Sequence, residues 1–376
     1  MDEEYTKQIK ELEQNLKPWA KRSTESLGRK YPIVDSPFRT PFERDTHRIL
    51  HSLPFRRLKR KTQVFFAPNN DHICTRIEHS LHVASISVTV CKRLGLNSTL
   101  AEAIALAHDL GHSPFGHLGE EAIRDICKKN RLPRFKHEAQ SLRVIDGFQN
   151  GLHEKLNLTY EVRDGVVCHY GEKDENKLVP EYRKRIKNVS ITAARKQKPA
   201  TLEGCVVRMC DTISYLGRDF EDACMAGLLT PKDLPRNIKK NLGKNNSEII
   251  GSLVDDLVKN STNKNYLQFS ENIYESMMEM KNFNREKIYN SDELLGQKDR
   301  INIILRQLFD HFLNDLRHNN KIHEDTYCVD FADFVKQMDY SEEVSAPQKV
   351  IDFLSGMTDN YALSCFESLI YVRKIV

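Results

Sequence analysis

A chain of 376 residues with 39% hydrophobic and 29% charged side chains has enough apolar material for one large domain or two ordinary ones, and too much for a disordered polymer. It holds no run of about 18 apolar residues, which excludes a membrane-spanning helix, and its polar opening Met1-Asp2-Glu3-Glu4-Tyr5 argues against a signal peptide. A net charge of +4 permits an anionic substrate without marking a nucleic-acid binder, and nine cysteines without CxxC spacing fit reduced thiols in a cytoplasm rather than a zinc or disulfide framework.

Residues from about Glu3 to Lys17 read as a short amphipathic helix that Pro18 ends. The stretch from Asp35 to Pro41 breaks the pattern, and Arg44 to His51 is helical again. Phe55 to Lys61 then carries five basic groups in seven residues, which reads as a solvated face with phosphate contact as the sharper option. Gln63 to Pro68 suggests a short extended piece, and Asn69-Asn70-Asp71 is turn chemistry. From Arg76 to Leu94 the apolar residues Ile77, Leu81, Ala84, Val88 and Cys91 recur at helical steps, and Gly95 stops the helix. Thr99 with Glu102 predicts a capping box for the next helix. Further helices are expected from near His117 to Lys129 and from Phe135 to Phe148.

Residues 171–200 are charged and poor in apolar groups, so they read as surface loop with a helical fragment. Thr201 starts a clear helix with Leu202, Val206, Met209, Ile213, Leu216 and Phe220 as its buried stripe. Pro231 to Asn246 and Lys259 to Asn265 are polar and read as loops or short exposed helices. From Asn272 onward helical patterns dominate, as in Ile301, Leu305, Leu308 and Phe312. Strands are scarce and no phosphate-binding glycine loop is present, so the expected class is mainly α.

The chemistry concentrates in the run from His108 to Glu120. His108 and Asp109 end an apolar helix, where a buried imidazole or carboxylate costs several kcal/mol unless it is paired or bound to metal. Gly111, Pro114, Gly116 and Gly119 can turn the chain so that His117 and Glu120 return over the same spot. A helical metal site needs ligands from several helices, because one helix presents only residues a turn apart. His79 lies on an earlier helix. Asp211, Tyr215 and Asp219 sit at i, i+4 and i+8 on a later one and share a face. The order is H…HD…D.

That order resembles the HD-domain phosphohydrolases, an all-helical fold in which His79, His108, Asp109 and Asp211 would hold a divalent metal. Phe55 to Phe65, Thr75 to Leu81, His108 to Glu120, His137 to Arg143 and Asp211 to Tyr215 look more closely like the deoxynucleoside triphosphate triphosphohydrolases, often called dGTPases. Leu156 to Thr159 and Lys287 to Ser291 fit as well. His82 departs from the family, which usually has Glu there; Ser113 replaces a common Pro, and Cys210 a common Ala.

The resemblance implies an HD-type catalytic core over residues 35–230, with an N-terminal helical arm over 1–34 and additional C-terminal helices over 231–376 packed on the core. It implies hydrolysis of dNTPs at the α-phosphorus to deoxynucleoside and inorganic triphosphate. The metal would be Mn, Mg, Fe, Ni, Co or Zn, with two imidazoles and two carboxylates suiting the transition metals over an all-oxygen Mg site. His117 and Glu120 would form the catalytic dyad. His112, His137 and Arg76 would meet phosphates, Gln63 the 3′-hydroxyl, and Tyr215 and Asp219 the sugar. Members commonly form hexamers or tetramers with effector sites between subunits, which implies a homo-oligomer and a dNTP effector. Two other readings stay open: another HD phosphohydrolase, such as a nucleotidase or alarmone hydrolase, and a non-catalytic regulator that senses dNTPs or binds single-stranded DNA through the basic run.

Overall fold

The computed structural model describes residues 3–34, 36–66, 72–147, 149–150, 154–170, 175–186, 197–318 and 326–370. The first helices are α1 (Glu3–Leu12), α2 (Pro41–Leu50) and α3 (Leu53–Arg57). α1 stops five residues short of Lys17, and α2 opens with the reciprocal Thr40–Glu43 capping box. Within the basic run, Arg56, Lys59 and Arg60 are exposed, whereas Lys61 is 2% exposed. Instead of an extended piece, residues 63–66 form bends after a bridge between Thr62 and Thr75. The expected turn at 69–71 lies outside the described residues.

The centre is built from α4 (Arg76–Leu94), α5 (Ser98–Ala107) and, later, α9 (Leu202–Met225), which pack on one another. α4 ends on Gly95 at φ +68°, a left-handed cap that glycine adopts without a Cβ clash. The buried face of α4 differs from the periodicity expected of it. Leu81 is 46% exposed, and the inward positions include Arg76, His79, Ser80 and Ser87 beside Val83, Val90 and Leu94. Arg76 and His79, which line the site cavity, take core-face positions that apolar groups would otherwise fill. α5 is capped by Asn97, whose side chain accepts from Leu100 N, so the Thr99–Glu102 capping box is corrected. Asn97 sits one residue before Ser98, where its side-chain oxygen reaches a free N–H of the first turn, whereas Thr99 already lies inside the helix.

Next come α6 (Gly116–Lys129), α7 (His137–Gly147) and α8 (Tyr160–Cys168). All six stripe residues expected on α9 are buried. α10 (Arg236–Asn241), α11 (Asn246–Ser261) and α12 (Glu271–Asn284) pack around α9. The described part of 171–200 contributes a two-residue strand, Lys177–Leu178, paired antiparallel with Leu267–Gln268. Then follow α13 (Asp292–Leu295), α14 (Lys298–Arg317), α15 (Thr326–Gln337), α16 (Ala346–Gly356) and α17 (Asp359–Ile370). The fold is mainly α, as expected.

Two large apolar cores, with two small satellites, result among the described residues. The larger holds α4, α5, α9 and the helices around them. The second joins Ile301, Leu305, Leu308 and Phe312 of α14 and the inward residues of α15, α16 and α17 to one face of α6. The helix that begins beside His117 is therefore anchored in the C-terminal core.

Candidate metal centre and active site

A cavity of about 360 Å³ is lined by ten of the twelve site residues read from the sequence: Gln63, Arg76, His79, Asp109, His112, His117, His137, Asp211, Tyr215 and Asp219. His108 and Glu120 stand behind its wall, fully buried. The α9 face carrying Asp211, Tyr215 and Asp219 is one side of the cavity, as their i, i+4, i+8 spacing requires.

The first metal-type cluster forms where α4, the end of α5 and α9 meet. Ligand atoms of His79, His108 and Asp109 lie within 4.8 Å of one another. His79 Nε2 is 3.0 Å from Asp211 Oδ1, and His108 Nε2 is 3.9 Å from it. The ring tautomers follow from their partners. His108 Nδ1 donates to the Ala105 carbonyl at 2.6 Å, which leaves Nε2 bare, buried and without a hydrogen-bond partner. Ser214 gives its hydroxyl proton to the Asp211 carbonyl, so it accepts from His79 Nδ1 at 3.2 Å. His79 Nε2 then faces a carboxylate oxygen with a lone pair, an arrangement that a cation relieves. Two imidazoles held by their outer nitrogens, with two carboxylates, fit a divalent metal.

The charges agree. Burial raises the pKa of a carboxyl, but His108, Arg76 and other neighbours hold Asp109 well below the usual range. Burial is likewise outweighed at Asp211 by the hydrogen bond to His79 and by His108, and its pKa falls to about 2. Arg76 Nη1 donates to Asp109 Oδ2 at 2.6 Å and so fixes the carboxylate's orientation.

The loop after Asp109 turns back through two left-handed residues, Phe115 at φ +60° and Gly116 at φ +55°. Gly119 permits the tight return, since a Cβ there would lie 1.8 Å from the Pro114 carbonyl oxygen. The turn brings His112, His117 and Glu120 together, with ligand atoms within 4.8 Å. The Glu120 carboxylate also accepts from His137 Nδ1 at 3.2 Å and pairs with Arg124. It serves more than one imidazole, where the sequence suggested His117 alone.

The histidines separate in charge. Burial lowers the pKa of His112 far below the imidazole range, with Arg76 and His137 adding to the effect. Burial lowers His117 to about 4, with Arg76, His137 and Arg124 adding to the fall and the Glu120 carboxylate opposing it. At His137 burial is overcome by Glu138 and Glu120, and the pKa rises to about 9. The ring of His137 stacks on His112 at 4.3 Å between centroids.

Several lining groups escaped the sequence reading. His169 caps the C-terminus of α8 and lies with His108 and Asp211 within 4.8 Å. No motif surrounds it, and only the fold brings it inward. Tyr289 donates to Asp219 Oδ2 at 2.5 Å, and burial pushes Asp219 up to about 7. Its signal was present in the Lys287 to Ser291 segment. Lys281 and Arg285 add cationic groups to the same wall.

Among known proteins, the HD domain family matches residues 76–216, and the phosphohydrolase-associated domain matches residues 267–368. A deoxyguanosinetriphosphate triphosphohydrolase-like protein of Caldanaerobacter subterraneus subsp. tengcongensis is 36% identical over 354 residues, covering 94% of this chain and 92% of its own. Proteins of the same name from Desulfatibacillum aliphaticivorans and Clostridium tetani are 34% and 35% identical, covering 96% and 98% of this chain and 96% and 97% of their own. The metal-type cluster lies within the stretch that the HD domain matches, and the likeness runs on through the C-terminal helices: the protein belongs to the deoxyguanosinetriphosphate triphosphohydrolase-like family of HD-domain proteins.

Proposed function

We propose that the chain hydrolyses deoxynucleoside triphosphates at the α-phosphorus, releasing deoxynucleoside and inorganic triphosphate. The observation that carries this reading is the content of one cavity. It joins a metal-type donor set, the cations Arg76, Lys281 and Arg285 suited to a polyphosphate, and the groups Gln63, Tyr215, Asp219 and Tyr289 suited to a sugar.

A divalent ion held by His79, His108, Asp109 and Asp211 would polarise a phosphoryl oxygen and lower the pKa of bound water. Arg76 holds Asp109 in place and offers its remaining donors to phosphate. His117, neutral at pH 7, exchanges a proton with the reacting oxygens, and Glu120 orients the imidazoles beside it. His137, cationic at the same pH, meets phosphate charge together with His112. Tyr215 packs under C2′ and disfavours a ribose hydroxyl. Tyr289 fixes Asp219 as an acceptor for the sugar or as a neutral donor, according to pH.

The test is incubation with each dNTP, NTP, dNMP and alarmone in the presence of Mn or Mg, with identification of the phosphate product. Intact triphosphate supports the proposal. Orthophosphate or pyrophosphate points to another HD phosphohydrolase, and no product to a binding protein. We infer further a homo-oligomer with a dNTP effector, read out by sedimentation with and without dNTPs. All nine cysteines are free, in keeping with a cytoplasmic location. Among the described residues no helix is long and apolar enough to cross a membrane.

A further inference from the structure

We propose that a second cavity, behind His117, binds a linear polyphosphate anion, and that the anion slows the active site through Arg124. The cavity holds about 800 Å³ and, among the described residues, shares only His117 and Tyr289 with the metal-type cavity. Those two rings, 6.1 Å apart between centroids, form the partition. The facing wall is one stripe of α6. His117, Glu121, Arg124 and Lys128 follow at steps of four, three and four, so they share a side of the helix. Arg131 then reverses the chain at φ +55°, which lays Arg134 along the same stripe, and Arg124 Nε donates to the Phe135 carbonyl at 3.2 Å.

Arg124, Lys128, Arg134 and Lys298 line this cavity against two acids, Glu121 and Asp125. Both acids are already paired, Glu121 with Lys298 at 2.9 Å and Asp125 with Arg306 at 3.6 Å. Lys128 and Arg134 are exposed and form no ion pair among the described residues. Unneutralised cations gathered in a concave wall attract a multivalent anion, and guanidinium forks suit phosphate oxygens. The only rings among the described lining residues are those of His117 and Tyr289, which the active site already uses. A nucleobase therefore finds no free face to stack on, and the chemistry favours a bare phosphate chain.

Arg124 joins the two cavities. Its Nη2 pairs with one oxygen of Glu120, whose other oxygen accepts from His137 Nδ1 at 3.2 Å. Nη1 makes no hydrogen bond among the described residues, so the guanidinium can take an anion on its other side. An anion drawn onto it competes with Glu120 and loosens the alignment of the imidazoles that Glu120 orients. The chemical step then slows while substrate still binds. The identity of the anion rests on the proposed reaction, whose product is inorganic triphosphate, and the cavity would act as a brake that senses accumulated product.

Isothermal titration calorimetry counts inorganic triphosphate bound to the Mn-loaded full chain. Wild type should take up two per chain, one in each cavity. The double variant Lys128→Gln/Arg134→Gln should take up one, with circular dichroism unchanged and kcat/KM unchanged when no triphosphate is added. Each single variant should weaken the second site by on the order of 10-fold, which decides should the double variant fail to fold. As an inhibitor of dNTP turnover, triphosphate should lower kcat and raise KM in wild type, but only raise KM in the double variant. One triphosphate per wild-type chain, two on the folded double variant, or a kcat effect that survives in it overturns the proposal. The binding count needs no turnover, so a chain that leaves dNTPs intact would sink the proposed function while this site still stands or falls by its own count.

Discussion

Helices α4 and α14 are nearly the same length, 19 and 20 residues, and each buries one long face. α14 spends that face on Ile301, Leu305, Leu308, Phe309, Phe312 and Leu313. α4 spends it on Arg76, His79, Ser80 and Ser87 as much as on Val83, Val90 and Leu94. Apolar burial favours folding by about 25 cal/mol per Å², whereas a hydrogen bond to a buried polar group returns only about 0.5–1.5 kcal/mol net and an unpaired one costs about 1–3 kcal/mol. The two helices thus divide the labour: α14 and its neighbours stabilise, and α4 with α5 and α9 tolerates a costly interior because it holds a site.

The sharpest way to break this comparison is to mutate each side. Asp109→Ala and Asp211→Ala should lose the metal, and turnover by on the order of 1000-fold or more, while the helical spectrum stays. Full metal occupancy in either, by elemental analysis, removes that residue from the ligands. Phe312→Ala should do the reverse. It should cost about 3–5 kcal/mol in denaturant unfolding with metal content unchanged. If it instead released metal at full fold, the division between the cores would be wrong.

Smaller effects sharpen it. His117→Ala and Glu120→Ala should each slow the chemical step by on the order of 100-fold with metal retained. Their double variant should be little worse than the worse single; losses that multiplied would show two independent roles. For Tyr215→Ala, the ratio of kcat/KM for a matched dNTP and NTP should shrink by roughly 10- to 150-fold. An unchanged ratio would move sugar selection to Gln63 or Asp219.

Glu203 tests whether the polar half also carries titratable cost away from the site. It is buried, and one oxygen accepts from the backbone of Lys21 and Asn97 while the other has no partner. Burial raises its pKa to about 7, and the partnerless oxygen is where the proton sits. The folded state then binds the proton more tightly than the unfolded one. That contribution is fully present below the ordinary glutamate range and is lost as pH rises through about 7. Glu203→Gln keeps the acceptor and cannot ionise. Relative to wild type it should gain on the order of 1–3 kcal/mol between pH 5 and 8. Parallel pH profiles for the two proteins would show that Glu203 does not titrate in that window.

How much of this the sequence could reveal depended on how local the signal was. α9 was legible because its apolar stripe is continuous, and α14 for the same reason. The helix of α4 was legible but its inward face was not, since a polar interior cancels the periodicity that announces it. The cap of α5 was misplaced because two neighbouring residues both offer capping chemistry and only geometry chooses between them. Ten of the twelve site residues line one cavity because they fall in dense motifs, whereas His169 stands in no motif and gains its place only from the packing of α8. Lys61 looked like the end of a basic surface run. Folding instead buries it, and desolvation lowers its pKa to about 7.

Lys61 has a consequence for how this protein can be cut. Its ammonium donates to the carbonyls of His112 and of Ser355, on opposite sides of the chain's midpoint. Asp359 repeats the stitch, accepting from Phe115 N at 3.0 Å and from Thr62 N at 3.1 Å. The loop that presents His117 is thus tied at two points to the last two helices. A fragment ending after α9 would contain all four ligands of the metal and yet lose both ties, leaving a buried lysine without one of its two acceptors. Chain-shortening or domain-grafting experiments should therefore treat residues through Asp359 as one heritable module.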